Sequence, residues 1–145
     1  MIIMRNLMIV FSLFTTITLK AQNETFLVKQ SQVSGDCENF IALPKNDVYT
    51  SISLSENYLR FNLSNGGYID KSLSEMEKIV YDNYYALDYI EESQNSKVAT
   101  RIVMIRNPNG ITKYKPLFIF MSGVGLLKLG EKTCMKFVFE NKDKI

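Results

Sequence analysis

The chain has 145 residues, with 17 lysines and arginines, 15 aspartates and glutamates, and no histidine. The absence of histidine excludes a Ser–His–Asp or Cys–His nucleophile and a zinc site built on histidine. The near balance of acidic and basic residues does not indicate nucleic acid as a partner.

The first 21 residues have the layout of a cleaved secretory signal. A short start that carries Arg5 precedes an apolar run over 7–19, and polar residues take over from Lys20. The run is shorter than the roughly 20 residues of a membrane-spanning helix. We therefore expect cleavage after Ala21 and no stable membrane insertion afterwards. Residues 22–145 are then expected to form a single globular domain in the periplasm or outside the cell.

Two cysteines, Cys37 and Cys134, lie near opposite ends of the predicted mature chain. In an exported protein an even cysteine count favours a disulfide. Two free buried thiols are the alternative.

Charge is divided unevenly along the mature chain. Residues 22–92 hold 12 acidic and 5 basic residues, whereas residues 93–145 hold 3 acidic and 10 basic residues. If late strands pair with early strands, these charges interleave on the surface. The alternative is a dipolar surface that docks a charged partner.

Short apolar stretches separated by turn residues predict β-strands along most of the chain. The predicted strands cover 25–33, 47–54, 58–63, 98–106, 111–121 and 133–139. In 47–54, alternation places Val48 on the face of Ile52 and Leu54, and Tyr49 on the opposite face. "NGG" at 65–67 and "NPNG" at 107–110 predict turns. Pro116 is expected at a sheet edge or a bulge, because proline cannot donate to a ladder. "SGVGLLKLGEK" at 122–132 is expected to be a connection.

The segment 72–92 is ambiguous and carries the candidate binding residues. The S-x-x-E pattern of Ser72 and Glu75 and an apolar stripe at helical spacing allow one helix. The competing interpretation is one turn of helix followed by two strands about an Asp82–Asn83 turn. The abundance of tyrosine favours strands. On a strand, Tyr85, Leu87 and Tyr89 share one face, and Tyr84 lies on the other.

The tyrosines of this segment have two interpretations. An inward stripe of Tyr85, Leu87 and Tyr89 is most simply part of a core. A set of partly buried phenols is also typical of ligand sites, because each hydroxyl needs a partner. The candidate ligand-binding or partner-binding residues are therefore Tyr81, Tyr84, Tyr85 and Tyr89.

Together these patterns predict an all-β protein, an antiparallel barrel or sandwich of about eight short strands. A compact up-and-down barrel resembling the lipocalin or calycin type suits the length, although the chain has no tryptophan for the G-x-W motif of that type. The alternative is an α+β fold in which a helix over 72–92 packs on an antiparallel sheet.

No catalytic residue, cofactor site or metal site is predicted. We expect a non-catalytic exported protein that binds a small apolar ligand or a protein partner. An inhibitor or immunity-type protein that neutralises an enzyme or toxin is the alternative. A hydrolase that uses a pair of carboxylates, such as Asp82 with Asp88, ranks last because a solvated surface explains such pairs more simply.

Overall fold

A computed structural model describes residues 23–44, 48–124 and 133–140. Ten strands and one turn of 3₁₀ helix, Leu73–Glu75, account for most of these residues. The strands are β1 (Glu24–Ser34), β2 (Ile41–Ala42), β3 (Tyr49–Leu54), β4 (Tyr58–Leu63), β5 (Tyr68–Ser72), β6 (Glu77–Val80), β7 (Tyr84–Ser93), β8 (Ser96–Arg106), β9 (Tyr114–Val124) and β10 (Thr133–Phe139). Within the described ranges no helix is long and apolar enough to cross a membrane. The predicted signal and the part of the predicted connection over 125–132 lie outside the described residues. The remaining part of that connection, 122–124, belongs to β9, so the prediction is wrong there.

One antiparallel sheet contains nine of the strands and curls into a half-barrel. Its order is β5-β4-β3-β1-β10-β9-β8-β7-β6, and the short strand β2 pairs with β1 beside this path. The predicted all-β antiparallel fold is confirmed in the form of a half-barrel, and the described residues form ten strands rather than about eight. Since β1 pairs with β10, the opening lies between β5 and β6, which are consecutive in the chain.

The segment 72–92 is not a helix, and the α+β alternative is wrong. Ser72 makes no side-chain capping hydrogen bond, and the helical start ends after the 3₁₀ turn. The chain then forms β6 and β7, joined by a turn in which the Tyr81 N–H donates to the Tyr84 carbonyl at 2.9 Å. β7 pairs with β8 in an unbroken register from Tyr84 to Ser93. The neighbouring strands β6 and β8 thus supply hydrogen-bond partners on both sides of β7.

The core fills the inner face of the curled sheet. The largest fully buried side chains come from strands all round the half-barrel, namely Phe137, Ile52, Leu59, Ile102, Met104 and Ile119. Leu87 is 5% exposed and belongs to this core, and Tyr85 and Tyr89 pack against it. Tyr84, on the opposite face, is 39% exposed. The predicted split between the two faces of β7 is confirmed.

The described sheet has register shifts in three pairings, and two of them bear on predictions made from the sequence. One lies between Tyr49 and Ser51 in the β3–β4 pairing, and it turns Tyr49 inward against Phe137, with ring centroids 4.8 Å apart. The expectation that Val48 faces the core is therefore wrong, because a bulge reverses the alternation of the residues that precede it. The second shift, in the β8–β9 pairing, lies beside Pro116, as predicted.

A disulfide joins Cys37, in the loop after β1, to Cys134 at the start of β10. The two Cα atoms are 5.3 Å apart, within the usual range for such a bond. The predicted bond is confirmed, and it is compatible with an oxidising, extracytoplasmic compartment. The loop that carries Cys37 also places Phe40 edge-on against Phe120, with ring centroids 6.2 Å apart. The loop is thereby fastened to the outer face of β9 and β10.

Asp36 shapes the turn that presents Cys37. Its Oδ1 atom accepts hydrogen bonds from the Ser34 hydroxyl at 2.6 Å and from the backbone N–H groups of Glu38 and Asn39. These bonds hold the pKa of the Asp36 carboxyl well below its usual range. Cys37 adopts a positive φ of 63°, which the surrounding hydrogen bonds and the disulfide maintain.

The topology pairs the acidic and basic parts of the chain. Strands β8, β9 and β10 come from the basic part, and in the sheet they lie between β7 and β1 of the acidic part. Asp88 and Arg101 form a two-bond ion pair across β7 and β8, and Glu92 lies 3.2 Å from Lys97. These contacts support the interleaved arrangement predicted from the charge division.

We predict that the Cys37→Ser/Cys134→Ser variant loses about 2–5 kcal/mol of unfolding free energy, because the bond removes freedom from a long loop of the unfolded chain. Urea unfolding of the oxidised protein and the variant measures the loss. Identical midpoints would show that the disulfide does not stabilise the fold.

We predict that Leu87→Ala costs about 2–5 kcal/mol, as expected for a cavity in a packed core. Tyr84→Ala should cost much less, because its ring lies on the outer face. The two unfolding midpoints, measured under the same conditions, test the assignment of the faces. Equal, large losses would contradict it.

Candidate functional site

Two clefts meet at one end of the half-barrel, which we call the tyrosine end. The barrel mouth has a volume of about 470 Å³ and is lined by Leu54, Ser55, Glu56, Leu73, Tyr85, Thr112, Lys113 and Tyr114. The turn cleft has a volume of about 160 Å³ and is lined by Lys78, Val80, Tyr81, Asp82, Asn83, Tyr84, Tyr85, Arg106 and Tyr114. Tyr85 and Tyr114 line both clefts, and their rings meet edge to face with centroids 4.7 Å apart.

The β6–β7 hairpin presents the remaining tyrosines of this end. Tyr84 precedes Tyr85 on β7, so the two side chains leave opposite faces of the strand. The Tyr84 ring stacks on that of Tyr81 in the turn, with centroids 4.5 Å apart and planes 15° apart. Three of the four predicted tyrosines therefore lie together. Both members of the stacked pair are exposed.

Tyr89 lies apart from this cluster. It lines a different groove of about 630 Å³, whose other lining residues include Glu77, Asp88, Ile90, Arg101 and Phe120. Burial raises the pKa of Tyr89 to about 12, so the phenol stays protonated at neutral pH. Since Tyr89 also packs against the core, the structure favours the structural interpretation for this residue.

Sequence reasoning missed Tyr114 and three cationic side chains around the tyrosines. The Lys78 Nζ atom lies 4.3 Å from the centroid of the Tyr85 ring. The Arg106 and Lys113 charges lie 5.2 and 5.8 Å from the Tyr114 ring centroid. The alternation in "TKYKP" at 112–116 is the only signal for Lys113 and Tyr114, and it does not reveal which strands lie beside it.

The positive charges of Lys78, Arg106 and Lys113 are not neutralised by the ion pairs described in the structure. Contact with a ring face is attractive but leaves a net positive charge. Within the described part of the chain, none of the ion pairs includes Lys78, Arg106 or Lys113. Asp82 and Glu56 are the acidic residues in the two linings. The tyrosine end therefore offers aromatic rings, phenol hydroxyls and an excess of positive charge.

Apolar side chains at the same end are unusually exposed. Val80, the last residue of β6, is 72% exposed, and Ile111, in the neighbouring β8–β9 hairpin, is 62% exposed. Exposed apolar side chains scattered singly are ordinary. Val80 lines the turn cleft together with the stacked pair of Tyr81 and Tyr84, which makes this surface a candidate for molecular recognition.

Glu24 holds the β8–β9 hairpin that forms one wall of the barrel mouth. Its Oε2 atom accepts hydrogen bonds from Asn107 Nδ2 at 2.8 Å, from the backbone N–H groups of Ile111 and Thr112, and from the Thr112 hydroxyl at 2.8 Å. A Cβ atom at Gly110 would displace the Asn107 amide from its hydrogen bonds to Glu24 and Thr112, so glycine at this position supports the same arrangement. The first residue of β1 thus fixes the position of the hairpin.

One member of the carboxylate pair Asp82 and Asp88 is already engaged in an ion pair. Asp88 is held in two hydrogen bonds by Arg101, and this engages the carboxylate that a hydrolase would need free. Among the described residues no group of three or more histidine, cysteine, aspartate and glutamate side chains is placed to hold a metal ion.

We predict that Glu24→Gln lowers stability at neutral pH by about 1–3 kcal/mol, because it removes the charge that four donors surround. Burial raises the pKa of Glu24, but the hydrogen bonds together outweigh it and lower the pKa below 4.5. This contribution is therefore complete above the unfolded pKa and is lost as pH falls through the folded pKa. Urea unfolding from about pH 7 to about pH 3 measures it.

Glu56→Gln, which changes an exposed glutamate in the β3–β4 turn, is the matched control. The native protein and the control should lose stability in parallel as pH falls, and Glu24→Gln should lose less. If the pH profiles of unfolding free energy superimpose for all three proteins, the Glu24 carboxylate does not stabilise the β8–β9 hairpin.

Comparisons with known proteins add no function to this geometry. No family model, no curated protein sequence and no solved structure matches the chain. The residues of the tyrosine end are therefore the basis on which its function is inferred.

Proposed function

We propose that this chain is an exported, non-catalytic binding protein that docks a protein partner at the tyrosine end. The observation that carries the proposal is the stacked, exposed pair of Tyr81 and Tyr84 beside exposed Val80. Tyrosine is enriched among interface residues that contribute most of the binding energy, because a large rigid ring loses little entropy on contact. The predicted signal and the disulfide support a periplasmic or secreted location.

The packed interior supports a protein partner over a ligand held inside the barrel. Phe137, Ile52 and Leu59 are fully buried and fill the space between the walls. When this chain binds through the tyrosine end, it covers part of the partner's surface. A packed core with an exposed tyrosine patch therefore favours an inhibitor or immunity-type role, in which this chain neutralises an enzyme or toxin by covering its surface.

A small apolar ligand in the barrel mouth is the second candidate. The volume of the barrel mouth, about 470 Å³, is within the range of small-molecule sites. Leu54 and Leu73 supply apolar walls, and the hydroxyl groups of Tyr85 and Tyr114 supply polar contacts. This candidate differs from the first in using the mouth rather than the stacked pair.

We predict that Tyr81→Ala/Tyr84→Ala weakens capture of the native partner about tenfold or more, because it removes two adjacent anchors. Affinity capture from an extract of the native host, followed by titration of the captured protein, measures this. Tyr68→Ala is the matched control, since Tyr68 is an exposed tyrosine on β5 that lines neither cleft. The control should bind normally.

Leu73→Trp separates the two candidates by filling the barrel mouth. If the native ligand is a small apolar molecule, this change abolishes binding and the loss of Tyr81 and Tyr84 does not. That result would overturn the protein-partner proposal. Circular dichroism of each variant confirms that its sheet is retained.

A further inference from the structure

The last strand of the sheet, β6, has an open edge beside the tyrosine end. β6 pairs with β7 on one side only and lies at one end of the strand order of the described residues. The hydrogen bond from the Tyr81 N–H to the Tyr84 carbonyl sets the alternation of this antiparallel ladder. The backbone groups of Ile79 therefore point to β7, and those of Lys78 and Val80 point to the open edge.

The open edge is continuous with the two clefts. Val80 lies opposite Tyr85 in the register, and Tyr85 lines both the barrel mouth and the turn cleft. A strand that paired with this edge would direct alternate side chains to the inner side, where the barrel mouth lies, and to the outer side. The stacked pair of Tyr81 and Tyr84 stands at the end of that path.

Edge strands often carry features that prevent them from pairing with another chain, and a charged side chain, especially lysine, is a frequent one. Lys78 is the only lysine of β6. Its ammonium group lies over the Tyr85 ring, 4.3 Å from the centroid, and so it is directed to the inner side. This placement leaves the backbone of the edge accessible and adds a positive charge where a bound strand would lie.

The charge of this surface selects the chemistry of the occupant. Lys78, Arg106 and Lys113 surround the Tyr85 and Tyr114 rings, and the described ion pairs leave all three without a carboxylate. A carboxylate beside them would gain charge-assisted hydrogen bonds on partial removal from water. Asp82 and Glu56 in the same linings offset part of this charge, but the three cations outnumber them. Electrostatic complementarity of this kind disfavours basic partners and increases the rate of encounter.

We propose that the partner docks as an extended, acidic segment that adds a strand to the open edge of β6. Backbone hydrogen bonds to Lys78 and Val80 supply affinity, and alternate side chains that enter the barrel mouth supply specificity. Acidic side chains of the segment pair with Lys78, Arg106 and Lys113. This inference rests on the proposed function and names the partner chemistry at the same site.

The test uses the disulfide-bonded mature chain and two dye-labelled octapeptides with blocked ends. One alternates glutamate and valine, and the other alternates lysine and valine. Fluorescence anisotropy measures the binding of each at low and physiological salt. We expect the glutamate peptide to bind at least about tenfold more tightly, and its affinity to fall with added salt, since surface charge contacts are screened.

Two variants of one residue test the edge itself. Val80→Pro removes an N–H that points to the open edge, and so it leaves the ladder with β7 intact. Val80→Ala shortens the same side chain and keeps that N–H. We expect Val80→Pro to weaken binding of the glutamate peptide about tenfold, because each backbone hydrogen bond to the bound strand contributes to affinity. Val80→Ala should weaken binding of the same peptide less than about threefold.

Amide hydrogen exchange of the unaltered chain gives a readout that does not depend on the folding of a variant. The glutamate peptide should slow exchange at Lys78 and Val80 and leave Ile79 unchanged, since Ile79 is already bonded to β7. Equal binding of the two peptides, equal affinity of the two Val80 variants, or no added protection at Lys78 and Val80 would each overturn the proposal.

The same variants separate this inference from the proposed function. If Tyr81→Ala/Tyr84→Ala no longer binds the native partner and Val80→Pro still does, the tyrosine end is the docking surface and the proposed strand addition is wrong. If Tyr81→Ala/Tyr84→Ala keeps the native partner, the proposed function is wrong, whatever the peptides do.

Discussion

The pairing of β1 with β10 is the constraint on which the rest of this fold depends. It joins strands from opposite ends of the described chain, and the disulfide between Cys37 and Cys134 lies at the end of that ladder. Because the first and last strands are paired, neither is left as an edge. The opening of the curled sheet falls instead between β5 and β6, and this places an unpaired strand edge beside the tyrosine end. Pairing over so long a loop carries a large entropic cost, which the covalent bond offsets.

β1 is fastened at both ends by different chemistry. At Ser34 it reaches the disulfide-bonded loop, and at Glu24 it holds the β8–β9 hairpin through hydrogen bonds to one carboxylate oxygen. The stabilisation by the disulfide does not depend on pH, whereas that by the Glu24 carboxylate, which we call the carboxylate clamp, does. Stability and site geometry are thus linked through a single strand, since the clamp sets the position of Thr112 and Tyr114 in the wall of the barrel mouth.

Only part of the candidate site could be predicted from the sequence. Tyr81, Tyr84 and Tyr85 lie together because they belong to one hairpin. Tyr89 was grouped with them because of its spacing, but four residues along a strand correspond to roughly 13 Å, and it lines a different groove. Tyr114, Lys78 and Arg106 reach the site from three different strands. Their convergence depends on strand order and register, which no local pattern contains.

Local patterns determined most of the strands, because the pleat of each strand alone imposes the alternation of apolar and polar residues. The short strands β2 and β5 were not predicted. They also determined the turn at 65–67, where Gly66 has a φ of 86°, and the inward face of Leu87. Tertiary structure decided whether 72–92 would be helix or strands, because β8 supplies the hydrogen bonds that β7 needs. It also decided that Tyr49 faces inward, since a bulge forms only against a particular partner strand. The charge division was visible in the sequence, but only the placement of β8, β9 and β10 between acidic strands converted it into paired charges and left Arg106 and Lys113 beside Tyr114.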